Sequence, residues 1–264
     1  MLKQQLIQSI IDISHLAGEK IMDVYQQDFA IYEKSDESPL TEADLAAHNC
    51  IVESLIQVSD FPILSEESAD IPWEKRNTWD TYWLVDPLDG TKEFIKKNGE
   101  FTVNIALIKD GVPVFGVVYA PVLKQTYVGV LGQGAYKISA GVKTDIYPKA
   151  RTKGETWKIV GSRSHQSPEI QALLDSLDGE TELVAMGSSL KLCLVAEGTA
   201  HLYPRLGPTC EWDTGAAQAV VEAAGGKVTI IDDATNALKS DAAPLRYNQK
   251  ESVLNPYFLV SCSL

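Results

Sequence analysis

Two carboxylates separated by a proline and a leucine end an apolar segment of this chain. The run reads Trp83-Leu84-Val85-Asp86-Pro87-Leu88-Asp89-Gly90-Thr91. Carboxylate oxygens at a tight turn suit a hard divalent cation, and the backbone N–H groups of the following Gly-Thr pair can bind an anion. The run therefore predicts a centre that handles phosphate. A structural turn is the alternative, because aspartate, proline and glycine all favour turns.

Three further acidic residues stand at the ends of predicted elements. Glu66 follows a short apolar strand, Asp213 begins a helix, and Asp44 lies in the first turn of another helix. Each alone has a structural explanation, since acids interact favourably with the positive end of the helix dipole and a turn glutamate is ordinarily solvated. Together with the Asp86 run, they predict one acidic site built from distant segments.

The composition is that of a globular protein with a strongly acidic balance. The 264 residues are 45% hydrophobic and carry a formal net charge of −13, and this length allows one large domain or two packed ones. The charge argues against non-specific nucleic-acid binding. It also repels an anionic substrate at long range, which favours a site that contains bound cations.

Cellular location follows from what the sequence lacks. No stretch approaches the roughly 20 apolar residues of a membrane span, and the N-terminal residues lack the apolar run of a signal peptide. We therefore expect a cytoplasmic protein, with peripheral contact with the inner membrane and the oligomeric state left open. The cysteines form no CxxC pair, which predicts reduced thiols rather than a zinc site or disulfides at Cys50, Cys193, Cys210 and Cys262.

Periodicity predicts the elements that must position the acids. Residues 5–25 have helical spacing, and Thr41 is a predicted N-cap with Asp44 in a variant capping box. The helix that follows is expected to bury Leu45, Val52, Leu55 and Ile56. After the Asp86 run, β-branched and aromatic residues predict an antiparallel meander over 101–108, 112–119, 125–130 and 135–139.

The second half alternates short strands and helices, which is typical of an α/β arrangement. A polar stretch at 140–157 suggests a boundary, so we expect an N-terminal α+β half over 1–145 with the main metal site. The half over 146–264 is expected to contribute Asp213 and the nucleotide contacts.

The chain resembles the inositol monophosphatase-like superfamily of Mg²⁺-dependent, lithium-sensitive phosphatases over nearly its full length. Two signatures carry the resemblance: the Asp86 run, and Trp212-Asp213 followed by small residues. Gly215 and Ala217 stand in the reverse of the expected order, yet both are small. Together with the segment pattern, the resemblance predicts a layered α-β-α-β-α sandwich, in which an antiparallel-rich sheet with a helix pair precedes a smaller α/β half.

Within that superfamily the closer resemblance is to the bacterial 3'(2'),5'-bisphosphate nucleotidases of the CysQ type. It rests on Lys92-Glu93-Phe94 and on the stretches 34–44, 98–106 and 187–209. It implies hydrolysis of adenosine 3',5'-bisphosphate to AMP and phosphate, which clears a by-product of sulfur assimilation. An inositol or sugar-phosphate phosphatase is the first alternative, and a non-catalytic cation-binding protein of the same fold is the second.

The resemblance also implies roles for individual residues and two or more Mg²⁺ ions. One ion would be held by Glu66, Asp86 and the carbonyl of Leu88, and a second by Asp86, Asp89 and Asp213. Thr91 paired with Asp44 would orient or deprotonate the attacking water, with Glu66 nearby.

Substrate contacts are predicted on both sides of the acidic site. The transferred phosphate would lie against the amides of Gly90 and Thr91, and Gly187 and Ser188 would approach the ribose or base. Lys191 and Arg205 are candidates for the second phosphate, since an arginine fork suits phosphate oxygens. A solvated helix-face lysine and loop arginine are the alternative.

Overall fold

Helices and strands alternate through the part of the chain that the computed structural model describes, residues 2–27, 30–33, 39–161, 168–231 and 242–262. Residues 34–38 of the predicted 34–44 motif lie outside these ranges. The helices are α1 (Gln4–Tyr25), α2 (Glu42–Val58), α3 (Trp73–Arg76), α4 (Thr91–Ile95), α5 (Pro168–Ser176), α6 (Leu190–Ala196) and α7 (Glu211–Ala224).

The described strands form a two-stranded ribbon and two larger sheets. The ribbon pairs β1 (Ile31–Glu33) with β2 (Pro39–Thr41). The large sheet runs in sequence order through β3 (Ile63–Ser65), β4 (Thr81–Asp89), β5 (Thr102–Lys109), β6 (Val112–Ala120), β7 (Gln125–Val130), β8 (Gly134–Ser139) and β9 (Val142–Asp145). From β4 onward its neighbours are antiparallel, so the predicted meander is confirmed.

The small sheet lies in the second half of the chain and mixes parallel and antiparallel pairs. Its order is β11-β10-β12-β14-β13, and β10 pairs in parallel with both of its neighbours. Sequence periodicity did not predict the last two of its strands. The strands are β10 (Trp157–Gly161), β11 (Thr181–Ala185), β12 (Leu202–Arg205), β13 (Gly226–Ile230) and β14 (Phe258–Cys262).

Three hydrophobic clusters stack these elements into the predicted α-β-α-β-α order. The first joins α1 and α2 to one face of the large sheet. The second fills the space between the two sheets around α6 and α7, and the third packs α5 on the outer face of the small sheet. Because the central cluster takes residues from both halves of the chain, the division at 145/146 stays a prediction.

Strand β4 alternates between the first two clusters. Tyr82 and Leu84 face α7, whereas Trp83 and Val85 face the helix pair. Burial of both faces explains why the run is apolar throughout. The strand then continues to Asp89 through a bulge, so the predicted tight turn is instead the irregular end of a strand.

Helix α7 packs on the large sheet at backbone contact. A Cβ atom at Gly116 would lie 2.8 Å from the Ala216 carbonyl carbon, and one at Gly129 would lie 2.7 Å from the Val220 nitrogen. Gly215 is equally constrained, since its Cβ would lie 2.8 Å from Leu84. The small residues of the second signature thus fix the height of α7, and with it Asp213, over the sheet.

The buried face of α2 differs from the predicted one. Leu55 is buried as expected, but Leu45 and Ile56 are 44% and 57% exposed. The inner face instead presents Ala43 and Ala47, followed by Ile51. Ala43, Ala47, Ile51 and Leu55 follow one another at intervals of four residues and form the buried face, so Leu45 and Ile56 lie outside it. All four cysteines lie in the described ranges and are free thiols, as predicted.

Candidate active site

Strand pairing brings Glu66 beside the Asp86 run. Strands β3 and β4 are parallel, and Ser65 is the register partner of Val85. Glu66, the next residue, starts a 3-10 turn at the level of Asp86. Asp86 is 1% exposed, and its Oδ1 atom accepts a hydrogen bond of 3.0 Å from the Leu88 amide.

Asp213 reaches the same place from the opposite layer. It is the third residue of α7, and its Oδ2 atom accepts a 3.0 Å hydrogen bond from the Cys210 amide at the N-cap. The structural explanation offered for this residue is therefore correct in part. The charge of Asp213 also acts on Asp86, as do those of Glu66 and Asp89.

The electrostatics of this acidic site are those of crowded like charges. Burial raises the pKa of Asp86 well above its usual range, and Glu66, Asp89 and Asp213 raise it further. Burial also raises the pKa of Asp89, against a smaller opposing effect of Lys191. The pKa of Asp213 rises to about 8, first through burial and then through Asp89. Four acids whose charges act on one another in a buried place form an environment that a cation would stabilise.

The donor set fits Mg²⁺ by its chemistry. Carboxylates and a backbone carbonyl are the ligands that this ion prefers, with water and substrate oxygens completing its shell. In the described ranges, no three or more His, Cys, Asp or Glu side chains are grouped closely enough to hold a metal ion by themselves.

We expect the metal-free protein to lose stability as the pH rises from about 4 to about 8. The folded-state pKa of Asp213 is raised from 3.8 to about 8, so the folded protein binds more protons than the unfolded chain in this window. Stability then falls with rising pH. Urea unfolding midpoints in chelator at pH 5 and pH 8 measure the effect.

Asp213→Asn is the matched comparison for that titration. Its midpoint should change less between the two pH values than that of the unaltered protein, because the titrating group is absent. If the unfolding midpoint of the unaltered protein did not fall between pH 5 and pH 8 by more than that of Asp213→Asn, the prediction would be wrong.

Asp44 serves two partners through its two oxygens. Its Oδ2 atom accepts from the Thr41 amide at 2.8 Å and from the Thr41 hydroxyl at 2.6 Å, which completes the predicted capping box. Its Oδ1 atom accepts from the Thr91 hydroxyl at 3.3 Å. The same hydroxyl lies 3.4 Å from the Leu88 carbonyl. The structure therefore brings the predicted pair together beside a proposed metal ligand.

The backbone around Gly90 and Gly187 leaves no room for side chains. Gly90 has φ +93°, a left-handed conformation that favours glycine, and its Cβ would lie 3.3 Å from Ser188. A Cβ at Gly187 would lie 2.8 Å from the Glu100 carbonyl oxygen. Ser188 is buried with φ +47°. The 187–188 segment thus lies directly against the Gly90 turn.

Lys191 and Arg205 line a small cavity with the acids. Its volume is about 80 Å³, and its lining includes Asp89, Ser188, Lys191, Tyr203, Arg205 and Asp213. Lys191 is half-buried, with its Nζ atom 5.8 Å from the centre of the Tyr203 ring, and burial lowers its pKa, which Asp89 partly offsets. Arg205 donates to the Pro208 carbonyl at 2.9 Å, and its Nε atom is buried without a hydrogen-bond partner in the described part of the chain.

A larger cavity lies elsewhere and has none of the acidic site residues in its lining. It measures about 840 Å³ and is lined by the start of α1, the 57–61 segment and the ends of β5 to β7. Size alone does not identify a site, and the smaller cavity is the one beside the charged groups.

Sequence reasoning missed three polar residues behind the site, Thr102, Asn104 and Ser189. The Ser189 amide donates to Asp89, and its hydroxyl donates to Asn104 at 2.8 Å. Thr102 and Ser189 share a further hydrogen bond of 2.9 Å. The available signal was an asparagine inside the otherwise apolar run of β5.

Comparisons with known proteins match the chain over most of its length. The sequence profile of the inositol monophosphatase family covers residues 2–256. The 3'(2'),5'-bisphosphate nucleotidase CysQ of Salmonella typhimurium is 48% identical over 97% of this chain and 99% of its own length. The crystal structure of CysQ from Bacteroides thetaiotaomicron superposes with a TM-score of 0.84 at 45% identity, covering 99% and 98% of the two chains. An inositol monophosphatase from Anabaena, 22% identical with a TM-score of 0.69, shares the fold.

Proposed function

The chain belongs to the inositol monophosphatase family, and we propose that it is a Mg²⁺-dependent 3'(2'),5'-bisphosphate nucleotidase. It hydrolyses the 3'-phosphate of adenosine 3',5'-bisphosphate to AMP and phosphate. The observation that carries this conclusion is the 48% identity to a bisphosphate nucleotidase over nearly the whole of both chains. The acidic residues implied by the resemblance are all present, which disfavours a non-catalytic member of the family.

Mg²⁺ would be held by the acidic site in two positions. Glu66, Asp86 and the Leu88 carbonyl are the proposed ligands of one ion, and Asp86, Asp89 and Asp213 those of the other. Ions bound there would supply Lewis-acid polarisation of the phosphate ester and would increase the acidity of water. Bound ions would also neutralise the repulsion among these carboxylates and so stabilise the folded protein.

Thr91 and Asp44 would prepare the attacking water. A threonine hydroxyl is not a base by itself, so it needs the carboxylate that lies 3.3 Å away. With its proton donated to Asp44, the hydroxyl oxygen offers lone pairs that accept a hydrogen bond from water. This orients the water and moves its proton toward the carboxylate, a role that general-base catalysis assigns to such pairs.

The remaining contacts would bind the nucleotide. The Gly90 and Thr91 amides are proposed to hold the transferred phosphate, and the 187–188 segment the ribose or base. Lys191 and Arg205 are proposed to bind the second phosphate, since both line the cavity beside Asp89 and Asp213. Two cations close together favour a substrate with a second phosphate over one that has only hydroxyl groups there.

A phosphate-release panel tests this function. We expect adenosine 3',5'-bisphosphate to be hydrolysed with a kcat/KM at least about 100-fold above those of myo-inositol 1-phosphate and AMP, because those substrates lack the second charged contact. Activity should require Mg²⁺, disappear with chelator and decrease with lithium. Initial rates at several substrate and Mg²⁺ concentrations measure all three.

Arg205→Met is the variant that links the preference to this cavity. It should reduce the preference for the bisphosphate and leave hydrolysis of inositol 1-phosphate nearly unchanged. A higher kcat/KM on inositol or sugar phosphates than on the bisphosphate nucleotide would overturn the substrate assignment in favour of the first alternative.

Location and assembly are less constrained. Among the described residues, no helix is long and apolar enough to cross a membrane. We propose a cytoplasmic enzyme of sulfur metabolism, as the sequence predicts, and no observation favours the peripheral membrane contact that was left open.

A further inference from the structure

The polar residues behind Asp89 form one continuous hydrogen-bonded chain. If the Ser189 hydroxyl donates to Asn104 Oδ1, its oxygen is free to accept from the Thr102 hydroxyl, 2.9 Å away. The Ser189 amide in turn donates to Asp89 Oδ2. Thr102, Asn104 and Ser189 are 0%, 1% and 2% exposed. Each bond in this chain is therefore shielded from water and contributes to fixing its partners.

Two residues of this hydrogen-bonded network lie on β5, directly across the strand pair from the metal-binding run of β4. Asn104 is the register partner of Asp86, and Thr102 is the partner of Asp89. Between these two pairs β4 has the extra residue of its bulge, which turns the strand locally. The bulge interrupts the β4–β5 ladder between Asp86 and Asp89, so the backbone that carries Asp89 is held there by fewer ladder hydrogen bonds.

The side-chain nitrogen of Asn104 connects this hydrogen-bonded network with the proposed cation site. Asn104 Nδ2 is buried and makes no hydrogen bond of ordinary geometry within the described ranges, yet the Asn104 side chain lowers the pKa of Asp89. The amide therefore lies close to the carboxylate without being fully satisfied.

We propose that Asn104 and Ser189 are positioning residues that orient Asp89 for the cation, with Thr102 holding Ser189 in place. This inference rests on the proposed function, in which Asp89 is a metal ligand. Ser189 comes from the second half of the chain and Asn104 from the first, so their contact also sets how α6 meets the site. Partners of metal ligands typically change metal affinity or activity by about 10- to 100-fold when removed.

Two matched threonine variants provide the test. Thr102→Val and Thr126→Val each remove one hydroxyl from a buried threonine of the large sheet; Thr126 is 2% exposed and its hydroxyl lies 2.8 Å from His15 Nε2. We expect Thr102→Val, Ser189→Ala and Asn104→Leu to raise the Kd for Mg²⁺ about 10-fold, measured by calorimetry on metal-free protein without substrate. Thr126→Val should leave this Kd unchanged while lowering the unfolding midpoint by an amount similar to Thr102→Val.

Asp89→Asn separates failure of this inference from failure of the proposed function. If the unaltered protein binds no Mg²⁺, or if Asp89→Asn binds it normally, the metal role of Asp89 and this inference are both wrong. If Asp89→Asn weakens binding but Thr102→Val and Ser189→Ala do not, only the positioning role is wrong. A double variant Asn104→Leu/Ser189→Ala that is no weaker than either single variant would support one connected chain. Should Asn104→Leu fail to fold, the two smaller changes decide the outcome.

Discussion

Asp86→Asn is expected to reduce kcat/KM by at least about 1,000-fold while making the metal-free protein more stable. Asp86 is proposed to bridge both ions, so its loss removes charge stabilisation of the transferred phosphoryl group, and single losses of such electrostatic support cost on the order of 100- to 1,000-fold. Loss of a shared ligand should reach or exceed the upper end. Steady-state kinetics at saturating Mg²⁺ measure this effect.

The gain in stability has the same physical origin. Burial and the charges of Glu66, Asp89 and Asp213 all raise the pKa of Asp86, which means that its ionised form is unfavourable in the folded protein. A neutral amide of the same shape removes that penalty. We expect the free energy of unfolding in chelator to rise by about 1 to 2 kcal/mol, within the range of other stabilising changes at strained functional sites.

Asp86→Asn is expected to lower activity and raise stability, and a general disturbance of the fold would lower both. Asp23→Asn, at an exposed position on α1, is the control and should change neither quantity. If Asp86→Asn lowered stability in chelator, the repulsion inferred for the acidic site would be wrong. If it retained activity within 10-fold of the unaltered enzyme, Asp86 would not be a bridging ligand.

Sequence patterns predicted the layers of this fold well because they follow from burial. The β-branched and aromatic residues of the β5 to β8 meander follow from burial of these strands in the core, and the helical period of α1 follows from packing one helix face against it. The capping box of Thr41 and Asp44 is equally local, since both partners lie within one helical turn. These features need no knowledge of distant contacts.

Features set by distant contacts were harder to predict. Leu45 and Ile56 are large apolar residues of α2 that are exposed, whereas the small Ala43 and Ala47 are buried, because packing against distant elements decides which face of the helix is covered. Strands β13 and β14 pair across a long sequence separation, and a short apolar run does not reveal such a partner. The bulge at Asp86 likewise depends on how β5 pairs with β4.

The acidic site shows both behaviours. Asp86, Asp89 and Asp213 were predicted because two signatures carry them, and Glu66 because it follows a predicted strand; the strand register and the height of α7 explain why they converge. Ser189 and Asn104 were not predicted to act on Asp89. Their proposed role depends on the Ser189 amide and the Asn104 side chain, which come from distant parts of the sequence. Sequence spacing alone does not predict that these two groups lie close together.

Asp44→Asn is expected to lower kcat by about 100- to 10,000-fold, the usual range for loss of a general base, and to leave the Kd for Mg²⁺ nearly unchanged. One asparagine oxygen can still accept from the Thr41 amide, which fixes the side chain in place. The amide nitrogen then faces the Thr91 hydroxyl and donates to it. Thr91 can no longer pass its proton to this position, so water is neither oriented nor deprotonated.

Thr41→Ala distinguishes this catalytic role from the capping role of the same carboxylate. Removing the Thr41 hydroxyl takes one hydrogen bond from Asp44 Oδ2 and one from the Ala43 amide, and loss of such an N-cap typically costs about 1 kcal/mol. We expect that cost in unfolding experiments with kcat reduced less than 10-fold. Thr91→Ser should retain most activity and Thr91→Val should lose as much as Asp44→Asn, since only the hydroxyl is required. If kcat in Asp44→Asn were near normal, Asp44 would act only as part of the helix cap. Another residue would then have to serve as the base for the attacking water.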